Sequence, residues 1–144
     1  MLQRFCENFQ YAGLLNRGAK EPNPYIRLAL ASAFCLGGFA FNIHRTLKFF
    51  NPLLSETYEY VDNDLNFRFI GEQVSHHPAI STCYAEGEGY TFYTNSNSAY
   101  KFMLMKGSLE FTPLSRSYIS FENFNETITH SKPYIDLLED LINF

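Results

Sequence analysis

Over residues 57–121 apolar and polar side chains alternate with a period of two, and no other feature of this chain constrains its fold as strongly. Tyr58 and Tyr60 alternate with Glu59 and Val61; Leu65, Phe67 and Phe69 alternate with Asn66, Arg68 and Ile70. Successive side chains of a strand point to opposite faces, so such a run sets one face on a core and the other in solvent. Asp62-Asn63-Asp64 between the two runs is a turn signal, which makes them a hairpin. Further strands are expected at 80–85, 90–94, 100–105, 108–111 and 118–121, divided by Glu86-Gly87-Glu88-Gly89 and Asn95-Ser96-Asn97-Ser98. The body reads as an antiparallel meander of about six or seven strands.

Residues 1–40 have a different period. Leu2, Phe5, Cys6 and Phe9 recur at helical spacing, and Leu14 and Leu15 continue them to a stop before Asn16-Arg17-Gly18. Asn23 caps a second helix with Pro24 at its first position, where a missing N–H costs nothing. Ile26, Leu30, Ala33 and Phe34 then form one apolar stripe, and Gly37-Gly38 ends it. At the far end Pro133 opens a third helical pattern. There Ile135, Leu138, Leu141 and Ile142 share a face opposite Asp136, Glu139 and Asp140. The expected fold is α+β in one unit: helical over 1–40, strands over 54–122, a helix over 133–144, with no repeat and no linker.

Composition narrows the function. Fifteen Phe and ten Tyr with no Trp fit a sheet protein and an apolar ligand cavity. A net charge of −4 argues against nucleic acid, whose binding needs a basic surface. Cys6, Cys35 and Cys83 are odd in number, lack metal or redox spacing and sit among apolar neighbours, so buried free thiols in the cytosol are expected. Arg4 and Glu7 interrupt any leader at the start. The uncharged run 28–43 is shorter than the roughly 20 residues a bilayer span needs. A soluble chain, at most peripheral to a membrane, follows.

Two patches are chemically dense: Lys48-Phe49-Phe50-Asn51-Pro52-Leu53-Leu54-Ser55-Glu56-Thr57-Tyr58-Glu59 and Gly71-Glu72-Gln73-Val74-Ser75-His76-His77-Pro78. In a regular strand His76 and His77 would point to opposite faces, so both reach one ligand only if the chain bends at Pro78. Imidazoles beside a phosphate take up a proton more easily, because the anion favours the charged form. Lys48 would add a fixed charge, Asn51 an amide donor, and the backbone around Phe50 a small anion nest. Glu56 would orient Lys48 or accept from a sugar hydroxyl. The plainer readings are a solvated histidine pair, a surface lysine and an ordinary Asn-Pro turn. Zinc is poorly served by adjacent histidines with no Cys or Asp at a ligand offset. A Ser75–His76 catalytic pair is poorly served by adjacency.

The octet Gly71–Pro78 contains Glu72-Gln73-Val74-Ser75-His76-His77-Pro78, which resembles the signature of the oxysterol-binding-protein-related family, and Lys48, Asn51, Pro52, Glu56, Thr57 and Glu59 match a second run of that family in register. Weaker similarity extends back through Ile26-Arg27 to Phe34 and forward through Lys101-Phe102 and Gly107-Ser108-Leu109 to Lys132-Pro133. The resemblance implies an antiparallel β-barrel enclosing one lipid, with no cofactor, no metal and no enzymatic step. Its ligands would be sterol or phosphatidylserine and phosphatidylinositol 4-phosphate, carried between organelle membranes that the protein touches from the cytoplasm. Lys48, Asn51, His76 and His77 would hold the inositol phosphates, assisted by the Phe50 backbone and Glu56.

Phe49, Ser55 and Ala79 stand where the family has proline, glycine and proline. Family domains are more than twice as long. About eight strands are needed to close a barrel around even a small ligand. The chain is therefore expected to be an incomplete lipid-binding barrel with open edges prone to self-association. A remnant that binds nothing and a histidine- or zinc-based hydrolase are the alternatives.

Overall fold

The structure, a computed structural model, describes residues 1–40, 50–103, 108–131 and 135–137, with side chains except at 100–103, 108–111 and 135–137. Three helices come first: α1 (Leu2–Glu7), α2 (Ala12–Gly18), reached through a 3-10 turn at Asn8–Tyr11, and α3 (Pro24–Ala40). Nine strands follow among the described residues: β1 (Thr57–Asp62), β2 (Phe67–His76), β3 (Ala79–Gly87), β4 (Tyr90–Asn95), β5 (Ser98–Met103), β6 (Ser108–Pro113), β7 (Arg116–Phe121), β8 (Glu126–Ser131) and β9 (Ile135–Leu137). They form a six-stranded sheet in the order β1-β2-β3-β4-β7-β8 and a three-stranded sheet in the order β5-β6-β9, every pair antiparallel.

The two sheets grow from one long hairpin. Tyr93 pairs with Tyr118 and Ser98 with Pro113, five positions further along on both strands. β4–β5 and β6–β7 thus keep one register across the break, where the Asn97 carbonyl accepts from the N–H groups of Leu114 (3.0 Å) and Ser115 (3.3 Å). The first hairpin turns where expected. The Asp62 carboxylate accepts from the N–H groups of Asp64 (3.0 Å) and Leu65 (2.8 Å), which folds the chain back into β2.

Alternation along the strands divides the six-stranded sheet into two faces. Phe67, Phe69, Cys83, Ala85, Tyr90, Phe92, Ile119 and Phe121 are buried on the face that carries the helices. Phe9 sits at the centre, its ring centroid within 5.2–5.6 Å of those of Phe34, Phe67, Phe69 and Phe92. The expected first helix is two short helices with the 3-10 turn between them, and that turn carries Phe9 onto the sheet.

α3 begins as its sequence dictates. The Asn23 side chain accepts from the Tyr25 N–H (3.0 Å), and Pro24 is the first helical residue. Two expectations for it fail. The buried stripe is Arg27, Ala31 and Phe34, whereas Ile26 and Ala33 face solvent. A buried charge decides the rotation: Arg27, 6% exposed, binds Glu126 of β8 through Nε (2.6 Å) and Nη2 (2.5 Å). Arg27 also donates to the carbonyls of Glu21 and Pro22 and stacks over the Phe124 ring at 3.9 Å. Gly37-Gly38, expected to stop the helix, lies inside it. A Cβ at Gly37 would come within 2.6 Å of the Tyr11 ring and one at Gly38 within 2.8 Å of the Asn8 side chain. These glycines let α3 lie against the 3-10 turn.

The C-terminal helix is contradicted at its start. Residues 135–137 are β9, paired with Leu109, Glu110 and Phe111 of β6, because a strand edge offers hydrogen bonds that a short amphipathic segment would otherwise lack. Residues 133–134 and 138–144 of that expected helix and 104–105 of an expected strand lie outside the described residues.

Because the Arg27–Glu126 pair is largely withdrawn from water, Arg27→Met will lower the unfolding free energy by roughly 2–4 kcal/mol in urea titrations. Arg27→Met/Glu126→Leu will lose less than the sum of the two single changes. Burial, with Glu7 and Asp62 nearby, pushes the Cys6 thiol up to about 11, and burial does the same for Cys35. A raised thiol pKa withholds the nucleophilic thiolate until higher pH, so alkylation of both at pH 8 will run roughly a hundredfold slower than in the urea-unfolded chain.

Candidate functional site

The β2–β3 hairpin reaches its tip with His76 paired to Ala79, leaving His77 and Pro78, joined by a cis bond, as the two-residue connection. Just before the tip the register shifts between Gln73↔Ser81 and Ser75↔Ile80, so Val74 is an extra residue in β2. With bulge and tip together the imidazoles do not part. Their ring centroids lie 4.7 Å apart, edge to face, and both side chains are exposed.

Gln73 holds the bulge. Its side chain is 1% exposed; Nε2 donates to the Ser75 carbonyl (2.8 Å) and Oε1 accepts from the Ser81 hydroxyl. Ser81 is tied onward to the β4–β5 break. Its N–H donates to the Ser96 hydroxyl (2.8 Å), and the Ser96 N–H donates back to the Ser81 carbonyl (2.8 Å).

The other dense patch is bonded to the same residue. The Ser55 N–H donates to the Gln73 carbonyl (2.8 Å), and the Gln73 N–H donates to the Glu56 carbonyl (3.0 Å). Before that junction, Leu53 and Glu56 close a turn (Glu56 N–H to Leu53 carbonyl, 3.0 Å), and the Glu56 carboxylate accepts from the Leu53 N–H (2.9 Å). Glu56 thus organises its own loop, a role its sequence position did not announce. Asn51 is exposed on this loop, Pro52 is buried beneath it, and the Phe50 side chain is 93% exposed. The structure brings the loop of Phe50, Asn51 and Glu56 beside the hairpin of His76 and His77. Lys48 lies outside the described residues.

The sequence reading missed the role of Gln73 and the row it begins. Gln73, Ser81, Thr94 and Ser117 are buried polar residues at one end of the helix-bearing face, with the Ser117 hydroxyl donating to Thr94 Oγ1 (2.8 Å). Each stands in phase with buried aromatic or aliphatic neighbours on its strand, and that is the signal that could have found them. Beyond the row, a cavity of about 240 Å³ opens between α1, α3 and the sheet, lined by Phe5, Phe34 and Phe92 and by Arg4, Ser117 and His130. Its lining mixes aromatic rings with polar groups contributed by α1 and by the sheet, a composition that suits a small amphipathic ligand.

Among the described residues the structure is an antiparallel sheet with helices over one face and a polar loop–hairpin junction at its rim. The chain belongs to the oxysterol-binding protein family, whose sequence profile matches residues 1–141. It is 36% identical over 132 residues to human oxysterol-binding protein-related protein 3, covering 91% of this chain and 15% of that protein. It is 38% identical over 132 residues to human oxysterol-binding protein-related protein 2, covering 92% of this chain and 28% of that one. Among solved structures it resembles the Osh1 ORD domain in complex with ergosterol, with TM-score 0.85 and 35% identity over 100% of this chain and 35% of that one. It also resembles the Osh3 ORD of Saccharomyces cerevisiae in complex with PI(4)P, with TM-score 0.81 and 30% identity over 96% of this chain and 37% of that one. The chain thus spans well under half of each of these relatives and solved domains.

Ser55 holds φ at 64° in the third position of the 53–56 turn, where a type II turn requires a positive value. The resemblance implies glycine at this position, and the turn calls for glycine's freedom. Positive φ costs an L-residue roughly 1–2 kcal/mol. Ser55→Gly will therefore raise stability by roughly 1 kcal/mol in urea or thermal unfolding, and Ser55→Val will lower it by at least as much.

Proposed function

We propose that this chain is a lipid-binding module that takes a phosphorylated inositol headgroup at the junction of the 50–56 loop and the β2–β3 tip. The single observation that supports it most is the double anchoring of both patches on Gln73, which sets an amide-bearing loop beside two converged imidazoles. In this reading Asn51, His76 and His77 donate to phosphate oxygens, Lys48 supplies charge, the Phe50 backbone adds an N–H, and Glu56 shapes the loop. The apolar part of the ligand, a sterol or the acyl chains of phosphatidylinositol 4-phosphate or phosphatidylserine, enters the cavity behind the polar row. The PI(4)P and ergosterol complexes of the structural neighbours support both halves of the reading. No bond is made or broken, so no catalytic residue is needed. Binding of this kind places the protein at the cytoplasmic surface of organelle membranes.

A second reading has its own observation. Among the described residues β1 and β8 end the six-stranded sheet with unpaired edges, and Tyr25, Leu28 and Leu36 are exposed on α3. Such surfaces favour self-association, which a concentration series on size-exclusion chromatography will reveal.

The headgroup site is tested by vesicle co-sedimentation with folding verified by circular dichroism. The wild-type chain will prefer phosphatidylcholine vesicles containing phosphatidylinositol 4-phosphate over phosphatidylcholine alone. Hydrogen bonds to a charged group contribute roughly 1.5–3 kcal/mol each. His76→Ala/His77→Ala will therefore weaken the preference by at least about tenfold, and Asn51→Ala by several-fold. A folded wild type with no preference, or a double variant that keeps it, rejects the site.

A further inference from the structure

Beside the two imidazoles the 50–56 loop presents apolar side chains to solvent: Phe50 is 93% exposed, Leu53 74% and Leu54 60%. Val74, the extra residue of β2, is exposed next to them. Isolated exposed apolar residues are ordinary, but a cluster on one turn calls for an occupant. The turn is also firmly built. Four hydrogen bonds hold it, from Leu53 N–H to the Glu56 carboxylate, Glu56 N–H to the Leu53 carbonyl, Ser55 N–H to the Gln73 carbonyl and Gln73 N–H to the Glu56 carbonyl. Pro52 is buried below. The backbone groups of that set are turned into the loop or the sheet, and Phe50, Leu53 and Leu54 stand outward beside the exposed Asn51 and Ser55.

We propose that Phe50, Leu53 and Leu54 form a membrane-inserting tip, which enters the acyl boundary of a bilayer carrying phosphoinositide while His76 and His77 meet the headgroup layer. This rests on the headgroup reading and adds a surface to it. Complementarity selects the occupant. A bilayer offers phosphate oxygens and hydrocarbon within the few ångströms that separate its headgroups from its chains, and the imidazoles and the apolar turn occupy neighbouring places on one rim. A protein groove or a second copy of the chain would use the hydrocarbon but not the paired N–H donors.

The chain contains no tryptophan, so one introduced at the tip is an unambiguous reporter. Leu53→Trp is mixed with phosphatidylcholine vesicles containing phosphatidylinositol 4-phosphate, with and without phosphatidylcholine brominated on its acyl chains. Insertion predicts a blue shift on binding and strong quenching by the brominated lipid. In parallel, Leu53→Ser/Leu54→Ser will bind these vesicles at least about tenfold more weakly, yet bind the deacylated, water-soluble headgroup as tightly as wild type. Emission that stays unshifted and unquenched while the protein sediments with vesicles overturns the insertion and leaves the headgroup site standing. A blue shift that appears on concentrating the protein without vesicles assigns the tip to a second copy and also overturns it. Failure of wild type to bind the soluble headgroup would instead reject the headgroup reading.

Discussion

The polar rim of this structure depends on Gln73. Its backbone carbonyl accepts from the Ser55 N–H, its own N–H donates to the Glu56 carbonyl, its side-chain amide donates to the carbonyl of Ser75, and its side-chain carbonyl receives the Ser81 hydroxyl. All four groups of a buried residue are therefore in use, which is what a polar side chain in a core requires. The consequence is geometric. The bulge at Val74 is held open from within, the tip follows it, and the histidines come together on the same rim as the Asn51 loop. Leucine at this position would leave the Ser75 carbonyl without its amide partner and the Ser81 hydroxyl without its acceptor.

The helices are fitted to the sheet by two different means. Phe9 joins them through aromatic contact with Phe34, Phe67, Phe69 and Phe92. Arg27 joins them through charge, with Glu126 on the last strand of the sheet and two carbonyls at the entry to α3. The arginine rather than the apolar pattern sets which way α3 faces, since a guanidinium taken out of water must keep its partners whereas Ile26 can remain in solvent. Gly37 and Gly38 then permit the approach that this orientation requires.

The period-two stretch and the Asn23 cap were legible because they are local: alternation, turn residues and a side chain reaching two positions onward decide them. Gly37-Gly38 and the stripe of α3 were misread because their causes are distant. Tyr11 and Asn8 explain the glycines, and Glu126 explains Arg27. β9 was read as a helix because its periodicity was weighed without the edge of β6 that captures it. In β8, Thr127, Ile128 and Thr129 carried a strand signal that went unassigned. At the site, the residue types were legible and the way they meet was not: opposite-facing neighbours converge only because of a bulge, and the residue holding that bulge looks like one more polar member of the octet.

That division bears on what a partial barrel can retain. The bonds that build the rim link Ser55, Glu56, Gln73, Ser75, Ser81 and Ser96, all within the span from the 50–56 loop to the β4–β5 break. They need only hairpin-range contacts, whose loop-closure cost is small, and none needs a closed sheet. The cavity behind them differs, because its walls join α1 and α3 to β7 and β8 across most of the described chain. The proposed headgroup site therefore rests on local structure, whereas the cavity rests on contacts between elements far apart in the chain.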